Sequence, residues 1–172
     1  MEPIVIADYD PQWPALFDEI ASRVRAAFAG GPLLAIEHVG STSVPGLAAK
    51  PIIDLDVVIP SQTDLGEAAS RLAALGYFHQ GDKGIPGRSA FLSPPGTPRH
   101  HLYVCASDND ELRRHVAFRD FLRAHPDEAR CYEALKRELA QWCRGDRVAY
   151  NDGKTEFVEA ILAKAGEADG RD

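Results

Sequence analysis

The sequence lacks several features that would each point to a particular class of protein. It has no run of about 18 apolar residues, so no segment predicts a membrane-spanning helix. The first stretch, MEPIVIADYDPQWP, contains only a short apolar run and no positive charge, unlike a secretion signal. Three widely spaced cysteines without a CxxC pair favour neither a disulfide framework nor a zinc site. We therefore expect a cytoplasmic protein with no membrane partner.

Positive charge is also scarce. The 172 residues include 19 Lys and Arg against 26 Asp and Glu, a net charge of −7. A broad surface for nucleic acid is therefore not expected, whereas a local basic pocket for one phosphorylated small molecule stays open. A chain of this length fits one domain with a buried core, which we place at residues 1–166, with a frayed tail over 167–172. The sequence does not predict the oligomeric state.

Apolar periodicity predicts a mixed β-sheet with helices before, between and after its strands. The predicted strands cover residues 4–6, 33–39, 52–59, 90–92 and 101–106, the last two as antiparallel neighbours. Helices are predicted from Asp10 and Pro11 onward, over residues 64–75, and through most of the chain after Asn109. The expected fold class is α+β, with an α/β-like order of elements and a helical C-terminal part.

Two aspartates stand inside an apolar strand of the stretch HVGSTSVPGLAAKPIIDLDVVI, residues 38–59. Side chains alternate along a strand, so Asp54 and Asp56 point to one face while their apolar neighbours point to the other. A buried, isolated carboxylate costs several kcal/mol unless it is paired or bound to a cation. At a Cα separation of roughly 6–7 Å, both side chains can bind one magnesium ion through oxygen. The alternatives are a solvated sheet face or pairing with Lys50, Arg88 or Arg99.

A turn with three hydroxyl side chains precedes that strand, in the order Gly40, Ser41, Thr42 and Ser43. Glycine lets the backbone approach a ligand, and a following helical turn directs free N–H groups at an anion. Alone, such a turn is usually a helix cap. Followed by a strand with an Asp-x-Asp pattern, it predicts a phosphate site facing a metal site, as phosphoryl or nucleotidyl transfer requires.

Three basic residues are further candidates for binding phosphate. Lys50 directly precedes the Asp-x-Asp strand, and Arg88 follows the glycine-rich segment GIPG. Each can bind a phosphate or pair with the aspartates. Lys154 stands in a GKT triplet, but Val148 occupies the place of the first P-loop glycine and no strand precedes it, so we reject that motif. A solvated helix lysine is the alternative for Lys154.

The chain resembles the GrpB family, whose members are similar to the polymerase-beta-like nucleotidyltransferase superfamily. The resemblance covers about residues 4–165 and is carried, in order, by IEHVGSTSVPGLAAKPIIDLDVVI, GIPGRSAFL, RHHLYVC, FRDFLRAHP and YNDGKTEFV. It implies a nucleotidyltransferase-type mixed sheet flanked by helices. It also implies that Gly40 and Ser41 hold nucleotide phosphates and that Asp54 and Asp56 hold magnesium, with manganese as the alternative. The place of Lys154 in the last segment would allow it to reach the site.

One position departs from the superfamily pattern. Active members carry a third carboxylate on a neighbouring strand, and the corresponding strand here reads HHLY, residues 100–103. His101 is a candidate metal ligand or general base in its place, with a hydrogen-bonded sheet residue as the alternative. Glu37 on the first strand is a second stand-in.

The resemblance and the residues together leave three functions. The first is a magnesium-dependent nucleotidyltransferase that uses a nucleoside triphosphate, or another phosphorylated small molecule, and an unknown small-molecule or protein acceptor. The second is a non-catalytic module that binds a nucleotide or phosphometabolite, or assists folding, like the related domain fused to dephospho-coenzyme A kinases. The third is metal-assisted hydrolysis with His101 as the base.

Overall fold

The structure, a computed structural model, describes residues 2–169 and contains the mixed sheet that the sequence predicts. Its strands are β1 (Ala35–Val39), β2 (Ile53–Ile59), β3 (Phe78–His79), β4 (Arg88–Leu92) and β5 (His100–Ala106). Their order in space is β1, β2, β5, β4, β3, with β2 and β5 parallel and the other neighbours antiparallel. The antiparallel pairing of β4 with β5 is as predicted, and the two-residue strand β3 is an addition.

The helices are α1 (Trp13–Ala27), α2 (Leu65–Ala74), α3 (Asp110–Ala124), α4 (Pro126–Trp142) and α5 (Arg147–Asp169). Local chemistry fixes two of their starts. The Asn109 side chain accepts hydrogen bonds from the backbone N–H groups of Glu111 and Leu112, which caps α3. Pro126 opens α4, where its missing N–H is not needed. Helix α5 extends into the predicted tail, and residues 170–172 of that tail lie outside the described residues.

One predicted strand is wrong. Residues 4–6 have no strand structure, and the segment contributes a single bridge in which Ala7 and Ala49 exchange two backbone hydrogen bonds of 2.9 Å. Its partner segment around Ala49 is itself not a strand, so the pairing stops at one bridge and the N-terminal segment does not join the sheet. Within the described residues, no helix is both long and apolar enough to cross a membrane.

The two faces of the sheet have different partners. Helices α1 and α2 cover the apolar face, where Val24 and Leu72 belong to one buried cluster with Val57 and Leu102. Helix α3 lies over the other face, which carries the polar residues of β2 and β5. Helices α4 and α5 pack against α3 and enclose the segment after β1 through an apolar cluster: Val44, Leu47, Leu122, Ala129, Tyr132 and Ile161. The helical C-terminal part therefore sits directly above the polar face.

Candidate functional site

The polar face is built by the alternation of β2. Ile53, Leu55 and Val57 are buried on the helix-covered apolar side, and Asp54 and Asp56 lie on the opposite side. In the register of the sheet, Asp54 pairs with Val39 and His101, and Asp56 pairs with Glu37 and Tyr103. The strand alternation expected from the sequence is thus the one the structure shows.

Asp54 lies between the turn after β1 and strand β5. Its Oδ1 accepts a hydrogen bond of 2.8 Å from Nδ1 of His101, whose side chain remains 53% exposed. A Cβ atom on Gly40 would lie 2.4 Å from Asp54 Oδ2, so a larger residue at position 40 would displace the carboxylate. Gly40 has φ 71° and ψ −177°, a conformation that is essentially restricted to glycine. Glycine at this position is therefore required by both the backbone and the carboxylate.

Asp56 is 1% exposed and faces α3. Its Oδ2 accepts a 2.6 Å hydrogen bond from Nδ1 of His115, whose Nε2 lies 3.4 Å from Oε1 of Glu111. Burial opposes protonation of His115, but the hydrogen bonds and charges of Asp56 and Glu111 outweigh it and raise the pKa of the imidazole to about 9. The sequence reasoning did not identify this partner.

The donor atoms suit a hard cation such as magnesium. The buried Oδ1 of Asp56 has no hydrogen-bond partner among the described residues, which leaves a carboxylate oxygen free for a ligand. The described residues contain no cluster of three or more His, Cys, Asp and Glu side chains arranged to hold a metal ion. Magnesium commonly binds through one or two carboxylates, waters and substrate phosphates. Asp54 and Asp56 fit that pattern.

Glu37, the other candidate for a third carboxylate, is already paired. Its Oε2 accepts a 2.7 Å hydrogen bond from Nη1 of Arg119, and the same nitrogen lies 3.1 Å from the backbone oxygen of His38. On β5, the residues beside Asp54 and Asp56 are His101 and Tyr103. Strand β5 therefore supplies an imidazole and a phenol where the superfamily pattern has an acid.

The turn after β1 is a short 3₁₀ segment whose hydroxyls have unequal roles. Oγ of Ser43 donates to the backbone oxygen of Gly40 at 2.5 Å, and Oγ1 of Thr42 lies 3.0 Å from Nε2 of His38. Ser41 lines the two cavities described next. The turn is held from outside by Arg123 on α3, which donates from Nε and Nη2 to the backbone oxygen of Ser43 at 3.0 and 2.8 Å. Two of the three hydroxyls thus maintain the turn, and Ser41 faces the site.

Three lysines converge on a cavity of about 100 Å³ between this turn and helices α4 and α5, which we call the lysine cavity. It is lined by Ser41, Thr42, Ala49, Lys50, Ile52, Asp54, His101, Tyr132, Lys136, Tyr150 and Lys154. Nζ of Lys50 and of Lys154 lie 3.9 and 4.5 Å from the centroid of the Tyr150 ring. Among the described residues, no carboxylate lies within salt-bridge distance of any of the three ammonium groups. The lysine cavity thus gathers three lysines beside Asp54 that form no salt bridge with the described residues.

The pKa values of these lysines reflect that crowding. Burial, followed by the charge of Lys154, lowers the pKa of Lys136 to about 7. Burial and the charge of Lys50 lower the pKa of Lys154 to about 8, and burial also lowers the pKa of Lys50. Lys136 is only 2% exposed and donates to the backbone oxygen of Ala48. An anion in the cavity would relieve all three ammonium groups.

Two further cavities flank the carboxylates. One, of about 220 Å³, is lined by Ser41 and His115 together with the apolar side chains of Phe118, Val158 and Leu162. The other, of about 430 Å³, contains Arg88, the remaining predicted phosphate ligand, and shares Lys154 with the lysine cavity. A larger cavity of about 630 Å³ lies between α3 and the end of α5 and contains neither aspartate. Six of the predicted site residues thus line one cavity: Ser41, Thr42, Lys50, Asp54, His101 and Lys154. Arg88 lies in a different cavity, and Ser43 and Asp56 line neither of the two.

Sequence reasoning missed Lys136, Tyr132 and Tyr150 as lining residues. Tyr132 packs in the apolar cluster around Leu122. Lys136 follows it by four residues, which places both on one face of α4. Spacing from a buried aromatic residue was therefore the signal that could have identified Lys136.

Comparisons with known proteins agree on one family. A family model described as GrpB protein matches residues 3–164. A UPF0157 protein of Pseudomonas aeruginosa is 42% identical over 166 residues, covering 94% of this chain and 67% of that protein. The UPF0157 protein YqkA of Bacillus subtilis is 37% identical over 91% of this chain, which spans only 46% of its length. A dephospho-CoA kinase of Mycolicibacterium paratuberculosis is 30% identical over 86% of this chain and 42% of its own length.

Solved structures extend the comparison to the fold. The crystal structure of a conserved GrpB protein from Enterococcus faecalis superposes with a TM-score of 0.83 at 34% identity, covering 94% of this chain and 96% of that one. The Cid1 poly(U) polymerase superposes with a TM-score of 0.55 at 10% identity, covering 80% of this chain and 42% of Cid1. The sheet and its helices thus have the nucleotidyltransferase-type architecture that the resemblance implied.

Proposed function

This chain belongs to the GrpB family, and from that premise we propose that it is a magnesium-dependent nucleotidyltransferase. Its donor is a nucleoside triphosphate, and its acceptor is a small molecule with a hydroxyl or amine group. The observation that carries the proposal is the lysine cavity, where three lysines without a salt bridge to the described residues lie beside Ser41 and Asp54. A polyanion next to a carboxylate pair is the substrate geometry that nucleotidyl transfer needs.

In this proposal the lysines and aspartates bind the substrate and magnesium, and His101 accepts the proton. Lys50, Lys136 and Lys154 would hold the phosphates, and Asp54 and Asp56 would hold magnesium. When bound, magnesium would neutralise phosphate charge and polarise the α-phosphate. A related fold has been solved with this kind of ligand, in a Cid1 structure bound to MgATP.

The reaction forms a bond from the acceptor oxygen or nitrogen to the α-phosphorus and breaks the bond from that phosphorus to the pyrophosphate oxygen. Pyrophosphate leaves with the electron pair. The proton of the acceptor passes to Nε2 of His101. This nitrogen is free to take it, because the Asp54 carboxylate can only accept a hydrogen bond and so keeps the ring N–H on Nδ1. The exposed side chain of His101 can reach an acceptor that approaches from solvent.

A second candidate function follows from the composition of β5. His101 and Tyr103 occupy the positions beside the two aspartates, so a third carboxylate is missing there. The matching segment in a protein named dephospho-CoA kinase is part of a longer chain. Both observations favour a module that binds a nucleotide or phosphorylated metabolite without turning it over.

Calorimetric titration with α,β-methylene-ATP, with and without magnesium, tests the donor site. We expect binding that requires magnesium and weakens about tenfold or more in Asp54→Asn. Asp127→Asn is the matched control, because Asp127 is exposed, pairs with Arg130 on α4 and does not line the lysine cavity. Absence of binding, or binding that ignores magnesium and the Asp54 substitution, would refute the nucleotidyltransferase proposal.

Turnover separates the two candidates. The protein is incubated with α-³²P-labelled nucleoside triphosphates and a small-molecule extract, and labelled products are separated chromatographically. A transferase yields a labelled acceptor with the wild type, and His101→Gln binds the nucleotide but loses most of that product. Tight nucleotide binding with no labelled product from any fraction would support the non-catalytic module.

A further inference from the structure

We propose that the 430 Å³ cavity beside Arg88, here called the arginine cavity, is the acceptor subsite, and that the acceptor carries an anionic oxygen group such as a phosphate or carboxylate. The inference rests on the proposed function, since an acceptor requires a nucleotidyl donor. The arginine cavity shares Lys154 with the lysine cavity, so the two substrates would meet across that side chain.

The charges around the arginine cavity are partly paired. Nη2 of Arg114 lies 2.5 Å from Oε1 of Glu159, and Nε of the same residue lies 3.8 Å from Oε2 of Glu111. His115 is bonded to Asp56. Among the described residues, Arg88 and Lys154 have no carboxylate within salt-bridge distance. The cavity therefore presents two cations that form no salt bridge with the described residues, and an anionic ligand would supply one.

The Arg88 side chain is fixed in position, but one of its hydrogen-bond donors has no acceptor among the described residues. Its guanidinium carbon lies 4.1 Å from the centroid of the Tyr103 ring, which fixes the plane of the group. Its Nε is buried and has no hydrogen-bond acceptor among the described residues. A buried donor without a partner is unfavourable, and an oxyanion would supply the missing acceptor. Arg88 thus has the position and the free donor of an anion ligand.

The sheet register places this anion site beside the reacting centre. Tyr103, on which Arg88 stacks, is paired with Asp56 on the neighbouring strand. Neighbouring strands lie about 4.8 Å apart. An acceptor anchored at Arg88 would therefore extend its hydroxyl or amine over the carboxylate pair.

The donor nucleotide fits the lysine cavity and the 220 Å³ cavity better than it fits the arginine cavity. Its phosphates have Lys50 and Lys136 on the other side of Lys154. A nucleobase is neutral and aromatic, and the 220 Å³ cavity beside Ser41 offers it the apolar walls of Phe118 and Leu162. The arginine cavity, with its two unpaired cations, is left for a second and charged substrate.

The test follows Arg88 directly. Protein with ¹⁵N-labelled arginine side chains is saturated with magnesium and α,β-methylene-ATP, then titrated with glycerol 3-phosphate or, in parallel, with glycerol. We expect glycerol 3-phosphate to shift the Arg88 Nε–H resonance and to bind about tenfold more tightly than glycerol. Arg88→Gln should remove this preference. Arg88→Lys, which keeps the charge, should retain part of it and so excludes a folding defect as the cause.

Arg113→Gln is the matched control, because Arg113 is an exposed arginine on α3 that pairs with Asp110 and lies outside the arginine cavity. It should keep the preference for glycerol 3-phosphate. A protein that binds the nucleotide but treats glycerol 3-phosphate and glycerol alike would overturn the acceptor assignment alone. A protein that binds glycerol 3-phosphate at Arg88 but no nucleotide would overturn both the assignment and the proposed function. Displacement of the nucleotide by glycerol 3-phosphate would assign Arg88 to the donor and overturn the inference.

Discussion

Lys136 is a charged residue in surroundings that favour its neutral form. Its ammonium lies 4.7 Å from the centroid of the Tyr132 ring, and it donates a hydrogen bond to the backbone oxygen of Ala48. A buried charge with so few partners is destabilising for the folded state. A residue that costs stability and lies in a cavity next to Ser41 is best explained by what it binds.

Lys136→Met should therefore separate stability from binding. The methionine fills a similar volume without a charge, so we expect the free energy of unfolding to rise by about 1 kcal/mol at pH 7. The affinity for magnesium and α,β-methylene-ATP should fall about tenfold or more. Chemical denaturation and calorimetry measure the two effects. Lys164→Met, at an exposed lysine that pairs with Glu128, should change neither quantity. A substitution at Lys136 that lowers stability and leaves affinity intact would make the lysine a structural residue.

The lowered pKa of Lys136 also predicts a pH dependence. Between about pH 7 and the ordinary lysine value of 10.5, the unfolded chain binds a proton at Lys136 that the folded chain does not. Unfolding therefore takes up that proton, and the free energy of unfolding of the ligand-free protein should rise with pH across this window. The penalty is fully present below about pH 7, and Lys136→Met should flatten the rise.

Nucleotide binding should also change the protonation of Lys136. Phosphate charge favours the protonated lysine, so binding at about pH 8 should take up protons at Lys136. Titrations in buffers with different ionisation enthalpies measure that uptake directly. Proton release on binding, or uptake that persists unchanged in Lys136→Met, would show that the lysine does not face the phosphates.

At the scale of elements, the turn after β1 depends on one glycine. Gly40→Ala combines an unfavourable backbone conformation with a clash against Asp54 Oδ2, and we expect a loss of about 3 kcal/mol in the free energy of unfolding. Gly46→Ala is the matched control, because Gly46 also has a positive φ of 80° but a Cβ atom there would have no other atom within 4 Å. Its loss should be about 1 kcal/mol, with magnesium-dependent nucleotide binding preserved. Equal losses in both variants would show that the close approach of Asp54 contributes nothing.

The elements also show how far the sequence could predict the site. Alternation along β2 was sufficient to place Asp54 and Asp56 on one face, because period two is a property of a single strand. The residues of α3 that bind the carboxylates of β1 and β2 were not predicted, because these contacts depend on how the helix packs on the sheet. A signal was nevertheless present: polar residues recur every four positions along one face of α3, at Glu111, His115, Arg119 and Arg123. The assignment of Arg88 to a separate cavity required the sheet order, which periodicity does not give.

At the scale of the molecule, charge separates the site from the rest of the surface. The net charge is −7, yet the lysine cavity and the arginine cavity hold cations that form no salt bridge with the part of the chain that the structure describes. A small anion can enter such a cavity, whereas a long polyanion must also lie along an acidic exterior. We expect poly(U) RNA not to displace α,β-methylene-ATP at physiological salt in a fluorescence competition assay, while free ATP does. Efficient displacement by poly(U) would instead indicate a nucleic-acid acceptor.

The two halves of the lysine cavity are also far apart in the order of synthesis. Asp54 leaves the ribosome about 100 residues before Lys154, a delay of roughly five to twenty seconds. During that interval the nascent chain carries Lys50, the acidic strand and the hydroxyl turn without Lys136 and Lys154. Because Lys136 and Lys154 lie on α4 and α5, the lysine cavity can close only after both helices have been synthesised and have packed over the turn after β1.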